Sequence, residues 1–193
     1  MILKRLFNRR QGGLAAYDLY GALVDQARQP LFYLEFGVPD TVTGRFEMVM
    51  LHAYLVLGRL KSAGDEAARL SQQVFDVMFD DMDQSLREMG VGDLSVGKRI
   101  KKMASMFYGR VGVLEEGFSA LERQGEEQEG GRTALEEAVA RNVYPDADDG
   151  AALLATKLVD YLVTCRRDLS AQPLDDILAG RIRFPEPEAA AHD

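Results

Sequence analysis

The sequence predicts an all-α protein, folded as a single-domain bundle of about six helices with long central ones. Three observations predict it. Between Gly37 and Gly112 lie three long segments whose apolar residues recur at steps of three and four, joined by turns rich in Gly and Asp. No stretch alternates apolar and polar residues long enough to suggest a strand. At 193 residues and 47% hydrophobic content, the chain suits one domain with a real core and no need of covalent staples.

Each element follows from local pattern. Residues 14–28 place Leu14, Tyr17, Leu19, Tyr20, Leu23, Val24 and Ala27 at helical spacing, and Pro30 stops that helix. FYLEFGVPD then reads as a connector with a short extended piece. Asp40 or Thr41 caps a helix reaching about Ser62, and its apolar residues lie nearly all round, which marks a buried central helix. Arg45, Glu47 and His52 argue against its crossing a membrane. The next helix spans about Asp65 to Met89, with Leu70, Val74, Val77/Met78, Met82, Leu86 and Met89 on one face and Gly90 as its stop. Ser95 caps the most regular helix, in which Ile100, Met103, Ala104, Phe107, Val111, Leu114, Phe118 and Leu121 step by three and four. Residues 123–131 (RQGEEQEGG) read as a mobile linker, followed by a short helix ending before Pro145 and a last amphipathic helix over 151–168.

These elements divide the chain into a basic segment at 1–13, a helical domain at 14–182 and a disordered, acidic, Pro-containing tail at 183–193. Net charge is −8, which speaks against a general nucleic-acid coat and specific DNA binding. Lys4, Arg5, Arg9 and Arg10 sit in the first ten residues without an acid, so the other residues carry −12 between them. With Cys165 as the single cysteine no internal disulfide forms, and no secretory signal pattern opens the chain. A cytoplasmic protein, in peripheral contact with the inner face of the membrane, is the expectation.

Catalytic motifs are weak. Gly92 to Lys98 matches G-x-x-x-x-G-K, but Arg99 stands where a phosphate loop needs Ser or Thr, and a helix precedes it instead of a strand. Asp76, Asp80 and Asp83 share a helix face without the spacing of a calcium loop, and read as solvated or Arg-paired. His52 lies in an apolar helix and reads as a hydrogen-bonded core histidine, with a ligand or general-base role as the alternative. No nucleophile is assigned to it, so the chain reads as no enzyme, with no metal or cofactor. Cys165 reads as a buried structural thiol.

Two features point to binding. Lys98, Arg99, Lys101 and Lys102 surround the side of their helix opposite Ile100, with Arg110 extending the patch and no acid over 94–114. Solvation of an acidic protein explains such a patch; so does an anchor for phosphates of ribosomal RNA or anionic lipid, to which Lys4 and Arg5 would add. Seven methionines follow Met1, all in the three central helices. They either fill the core or line a groove for an apolar client, for which Met78, Met82, Met89, Met103 and Met106 are the candidates.

The segments PDTVTGRFEMVMLHAYLVLGRLK (39–61), QQVFDVMFDDMDQSLREMGVGD (72–93), KRIKKMASMFYGR (98–110) and ALEEAVARNVY (134–144) resemble the ubiquinol–cytochrome c chaperone family. The matching positions are Asp40, Gly44, Arg45, His52, Arg59, Asp80, Asp83, Gly90, Lys102, Gly109, Arg141 and Asn142. With no long N-terminal extension, the chain looks like a compact bacterial member. The resemblance implies a non-enzymatic assembly factor for the ubiquinol–cytochrome c reductase complex that binds apolar segments of newly made cytochrome b. It also implies the ribosome or a second assembly factor as further partners. The alternative reading from the residues is a helical protein that binds a small ligand, quinone or haem, in its Met- and aromatic-rich interior.

Overall fold

A computed structural model describes residues 2–187 other than 62, 124, 148 and 149, with side chains from Gly13 onward. Among the described residues there are eight helices and no strand. Six are long: α1 (Ile2–Ala27), α3 (Val42–Leu60), α4 (Asp65–Glu88), α5 (Asp93–Leu121), α6 (Glu126–Val143) and α7 (Ala151–Ala171). Two are single turns, α2 (Pro30–Leu34) and α8 (Leu174–Leu178). The all-α bundle expected from periodicity is the fold observed.

Helix α3 is the hub. Met48, Val49, Met50, Leu51, His52, Ala53, Tyr54, Leu55 and Val56 are buried in succession, because α1, α4, α6 and α7 all pack against it. Thr41 caps it, its hydroxyl accepting from the Gly44 amide at 3.1 Å. Around this axis each neighbour buries one stripe: Ala16, Leu19 and Leu23 of α1, Val74, Met78 and Met82 of α4, and Leu158, Leu162 and Cys165 of α7. Helix α4 ends at Gly90, whose φ of +82° closes a Schellman turn: Val91 N–H donates to Leu86 C=O and Gly90 N–H to Arg87 C=O.

Four expectations fail for physical reasons. The first helix ends before Pro30 as expected, but the connector holds no extended piece: Pro30 opens α2 at the position where a missing N–H costs nothing, and that turn buries Phe32. The cap of α5 is Gly92, not Ser95. Over 126–131 the expected mobile linker is helix instead, since α6 already starts at Glu126 and runs through Gly130 and Gly131. Gly131 lies against α5 so closely that a Cβ there would sit 2.6 Å from the Ala120 methyl and 2.8 Å from the Gly117 carbonyl. A glycine pair read as flexibility is thus a contact surface. Finally, the expected tail packs down over 183–187: Pro185 C=O accepts from Gln26 Nε2 at 3.0 Å, Arg183 C=O accepts from Gln172, and Phe184 lies edge-on to His52. Residues 188–193 of that tail, with His192, lie outside the described residues.

Candidate functional site

Where α5 and α6 leave α3, they bound a groove of about 450 Å³. Its floor is Glu47 and Leu51 of α3; one wall is Met106, Gly109, Arg110, Val113 and Leu114 of α5. The other wall is Ala138, Val139, Arg141, Asn142 and Val143 of α6. The spacing along α5 puts successive turns of one helix face into the groove. Gly109 keeps that wall low, for a Cβ there would meet nothing within 4 Å. Farther along, Gly117 and Gly131 bring the same two helices into direct contact, so the groove opens only at one end of their interface.

The groove is apolar with a polar seam. Glu47 is 1% exposed and its carboxylate accepts from Arg110 Nη2 at 2.6 Å. Burial raises the Glu47 pKa, and the guanidinium beside it opposes that rise. Arg110 Nη1 also donates to Met106 C=O at 3.3 Å, which leaves the buried Nε–H without a partner among the described residues. Asn142 Nδ2 donates to Ala138 C=O at 2.7 Å, and Arg141 stands exposed at the rim. Such a seam offers donors to a peptide carbonyl beside apolar walls.

The sequence-derived candidates divide into groups. Gly109, Arg110, Met106, Arg141 and Asn142 converge on the groove. Arg110 therefore does not extend an exposed basic patch, because its partner Glu47 turns it inward. The methionines do not share one surface: Met78 and Met82 are sealed in the core, Met103 is half-buried, and Met89 is exposed on the α4–α5 turn. Lys98, Arg99, Lys101 and Lys102 are all exposed, whereas the side chains of Lys4 and Arg5 lie outside the described residues.

Several of the resembling positions do structural work. Asp40 and Arg45 form a surface ion pair at 2.6 Å, which holds the Asp40 carboxyl below its usual range. A Cβ on Gly44 would meet the Pro39 carbonyl. Arg59 donates to Leu169 C=O and Gln172 C=O, both at 3.0 Å, satisfying the carbonyl end of α7. Asp83 pairs with Arg87, and Asp80 is exposed on the outer face of α4.

His52 is fully buried. Its Nδ1–H donates to Met48 C=O at 2.7 Å, so Nε2 is the acceptor for the Tyr161 hydroxyl at 3.0 Å. Tyr161 in turn accepts from Gln26 Nε2 at 2.8 Å, and Phe32 and Phe184 enclose the imidazole. Desolvation pulls the His52 pKa down to about 4. Both ring nitrogens are engaged and no ligand can reach them, which removes His52 from the haem or quinone alternative. Cys165 is equally enclosed, its thiol pushed up to about 12 by burial. Glu47, Leu51 and Tyr161 were not anticipated as site or network residues. Glu47 carried a signal, an acid within an otherwise apolar run, but nothing local points to a partner 63 positions away.

Comparison with known proteins agrees with this architecture. The family model described as Ubiquinol-cytochrome C chaperone matches residues 34–184. "Ubiquinol-cytochrome-c reductase complex assembly factor 1" of Xenopus laevis is 23% identical over 117 residues, which cover 61% of this chain and 58% of that protein. The Homo sapiens protein of the same description is 28% identical over 105 residues, 54% of this chain and 35% of its own length. The chain thus spans between about a third and three fifths of the curated relatives it matches. The crystal structure of the Cbp3 homolog from Brucella abortus is 38% identical, with a TM-score of 0.78 over 97% of this chain and 98% of that one. This chain belongs to the ubiquinol–cytochrome c chaperone family.

Proposed function

We propose that the protein is a non-enzymatic assembly factor for ubiquinol–cytochrome c reductase, and that the α3–α5–α6 groove grips an apolar segment of newly made cytochrome b. The observation that carries this reading is the groove itself: apolar on both walls, open beside Gly109, and edged by Arg110, Arg141 and Asn142. Its volume suits a few side chains. A transmembrane helix of about 20 residues spans roughly 30 Å, so the groove would hold one or two turns and not the whole helix. Apolar walls would shield those turns from water, and the polar rim would accept the ends where helix or backbone is incomplete.

A photoreactive residue at Val113 tests this. Irradiation during cytochrome b synthesis should yield an adduct that carries cytochrome b peptides. The same probe at exposed Leu153 on α7, which does not line the groove, should yield none. Adducts from Leu153 but not from Val113 would move the client to another face.

A further inference from the structure

The α4–α5 turn carries a surface that the client groove does not use. Leu94 is 92% exposed and Met89 is 55% exposed, on either side of Gly90-Val91-Gly92. Exposed aliphatic side chains scattered singly are ordinary, but here two share one turn next to a band of cations. Directly behind follow Lys98, Arg99, Lys101 and Lys102, all exposed. At about 100° per residue, Leu94, Lys98, Lys101, Ser105 and Tyr108 project within about 40° of one direction, with Lys102 on their flank. Val96, Phe107 and Leu114 occupy the opposite, buried side. Tyr108, 62% exposed, closes the row.

Charge singles out the same turn. Residues 83–102 hold five cations and three acids, a net +2 within a chain of −8. Two of those acids, Asp83 and Asp93, are spent on Arg87, and Glu88 accepts from Gln84. Among the described residues none of the four cations forms an ion pair, and Asp80 on the neighbouring helix lies beyond ion-pair distance of them. Positive charge at the first turns of a helix also opposes its dipole, so intrahelical electrostatics does not account for the cluster.

We infer that the α4–α5 turn docks on an anionic lipid surface, with Met89 and Leu94 entering the acyl boundary while Lys98, Arg99, Lys101 and Lys102 sit among headgroup phosphates. Aliphatic tips beside a band of cations match the acyl boundary and the headgroup layer of a bilayer surface. A folded RNA surface would use the cations but has no place for the two aliphatic tips. Arg99 and Lys102 share a helix face with Met106 and Gly109 of the groove, so docking would hold the protein at the surface with the groove one to two turns along α5 from the cations.

Co-sedimentation of the full chain with phosphatidylcholine vesicles, with and without phosphatidylglycerol, tests this. Binding is expected only with phosphatidylglycerol and should weaken as salt rises. Lys98→Gln/Lys101→Gln/Lys102→Gln should weaken it about a hundredfold, from roughly fivefold per cation. Met89→Ser/Leu94→Ser should weaken it at least about tenfold with every charge retained. Both sets change exposed side chains, so thermal unfolding should match the parent and report an intact fold. Absence of binding to anionic vesicles would overturn the inference. So would ribosome binding that depends on the lysines but is indifferent to Met89→Ser/Leu94→Ser.

Discussion

The Tyr161 hydroxyl donates to His52 Nε2 at 3.0 Å, joining α7 to α3 at the centre of the bundle. The bond exists only while the imidazole is neutral, since the other nitrogen keeps its proton for Met48 C=O. Burial lowers the His52 pKa from 6.5 to about 4. Its neutral form is thus favoured in the folded state, and the contribution to stability is complete above pH 6.5. It is lost as pH falls from 6.5 through 4. The full loss is about 3 kcal/mol, from roughly 1.4 kcal/mol per pH unit. Urea unfolding of the parent and of His52→Gln across this range should show the two stabilities converging as pH falls. Parallel curves would mean that His52 takes up its proton in the folded protein at the same pH as in the unfolded chain.

The buried ion pair Glu47–Arg110 makes a second prediction. Arg110→Leu strands a carboxylate that is 1% exposed and should cost about 3–5 kcal/mol in unfolding free energy. Adding Glu47→Leu should restore most of that loss, because the pair's own desolvation cost disappears with it. Failure of the double variant to recover would show that the pair also fixes the geometry of α3 against α5.

Two adjacent glycines separate contact from propensity. Gly130→Ala places a methyl in open space within α6 and should stabilise by up to about 1 kcal/mol. Gly131→Ala gains the same propensity but drives its methyl into the Ala120 side chain and the Gly117 carbonyl, and should destabilise by about 1–3 kcal/mol net. Thermal melts of the two variants shifting in opposite directions would confirm the close α5–α6 contact.

Much of this architecture was legible in the sequence because it is local. The apolar stripes of α3, α4, α5 and α7 are repeated over many turns, and Gly90 marks the end of α4 as its left-handed φ requires. What stayed hidden depends on partners distant in sequence. The glycines of α6 signal a loop by composition, yet Gly117 and Gly131 are there to let two helices touch. Arg110 continues a run of cations on paper, and only Glu47 explains why it turns inward. The groove was half-legible: Met106 is a client candidate by residue type and Gly109, Arg141 and Asn142 enter only through the family resemblance, while residue type could not tell Met106 in the groove from Met78 in the core. Residues 183–187 read as disordered because their hold on the fold comes from partners outside the segment: Gln172 for both backbone groups of Arg183, Gln26 for the Pro185 carbonyl and His52 for the Phe184 ring.

Gly109 allows the groove to be blocked without disturbing what supports it. A Cβ at this position meets nothing within 4 Å, and Phe is a better helix former than Gly. Gly109→Phe should therefore unfold at or slightly above the parent's midpoint while its ring occupies the space between Arg110 and Asn142. A lowered midpoint would show instead that the ring cannot be accommodated.

The most direct measurement is the haem b signal of membranes from cells lacking this gene, complemented by the parent chain or by Gly109→Phe. The parent should restore assembled cytochrome b. Gly109→Phe, present at equal level and folded, should leave the signal at or near that of the deletion strain. Full restoration by Gly109→Phe would contradict the groove as the client site. A normal haem b signal in the deletion strain itself would contradict the role in cytochrome b assembly.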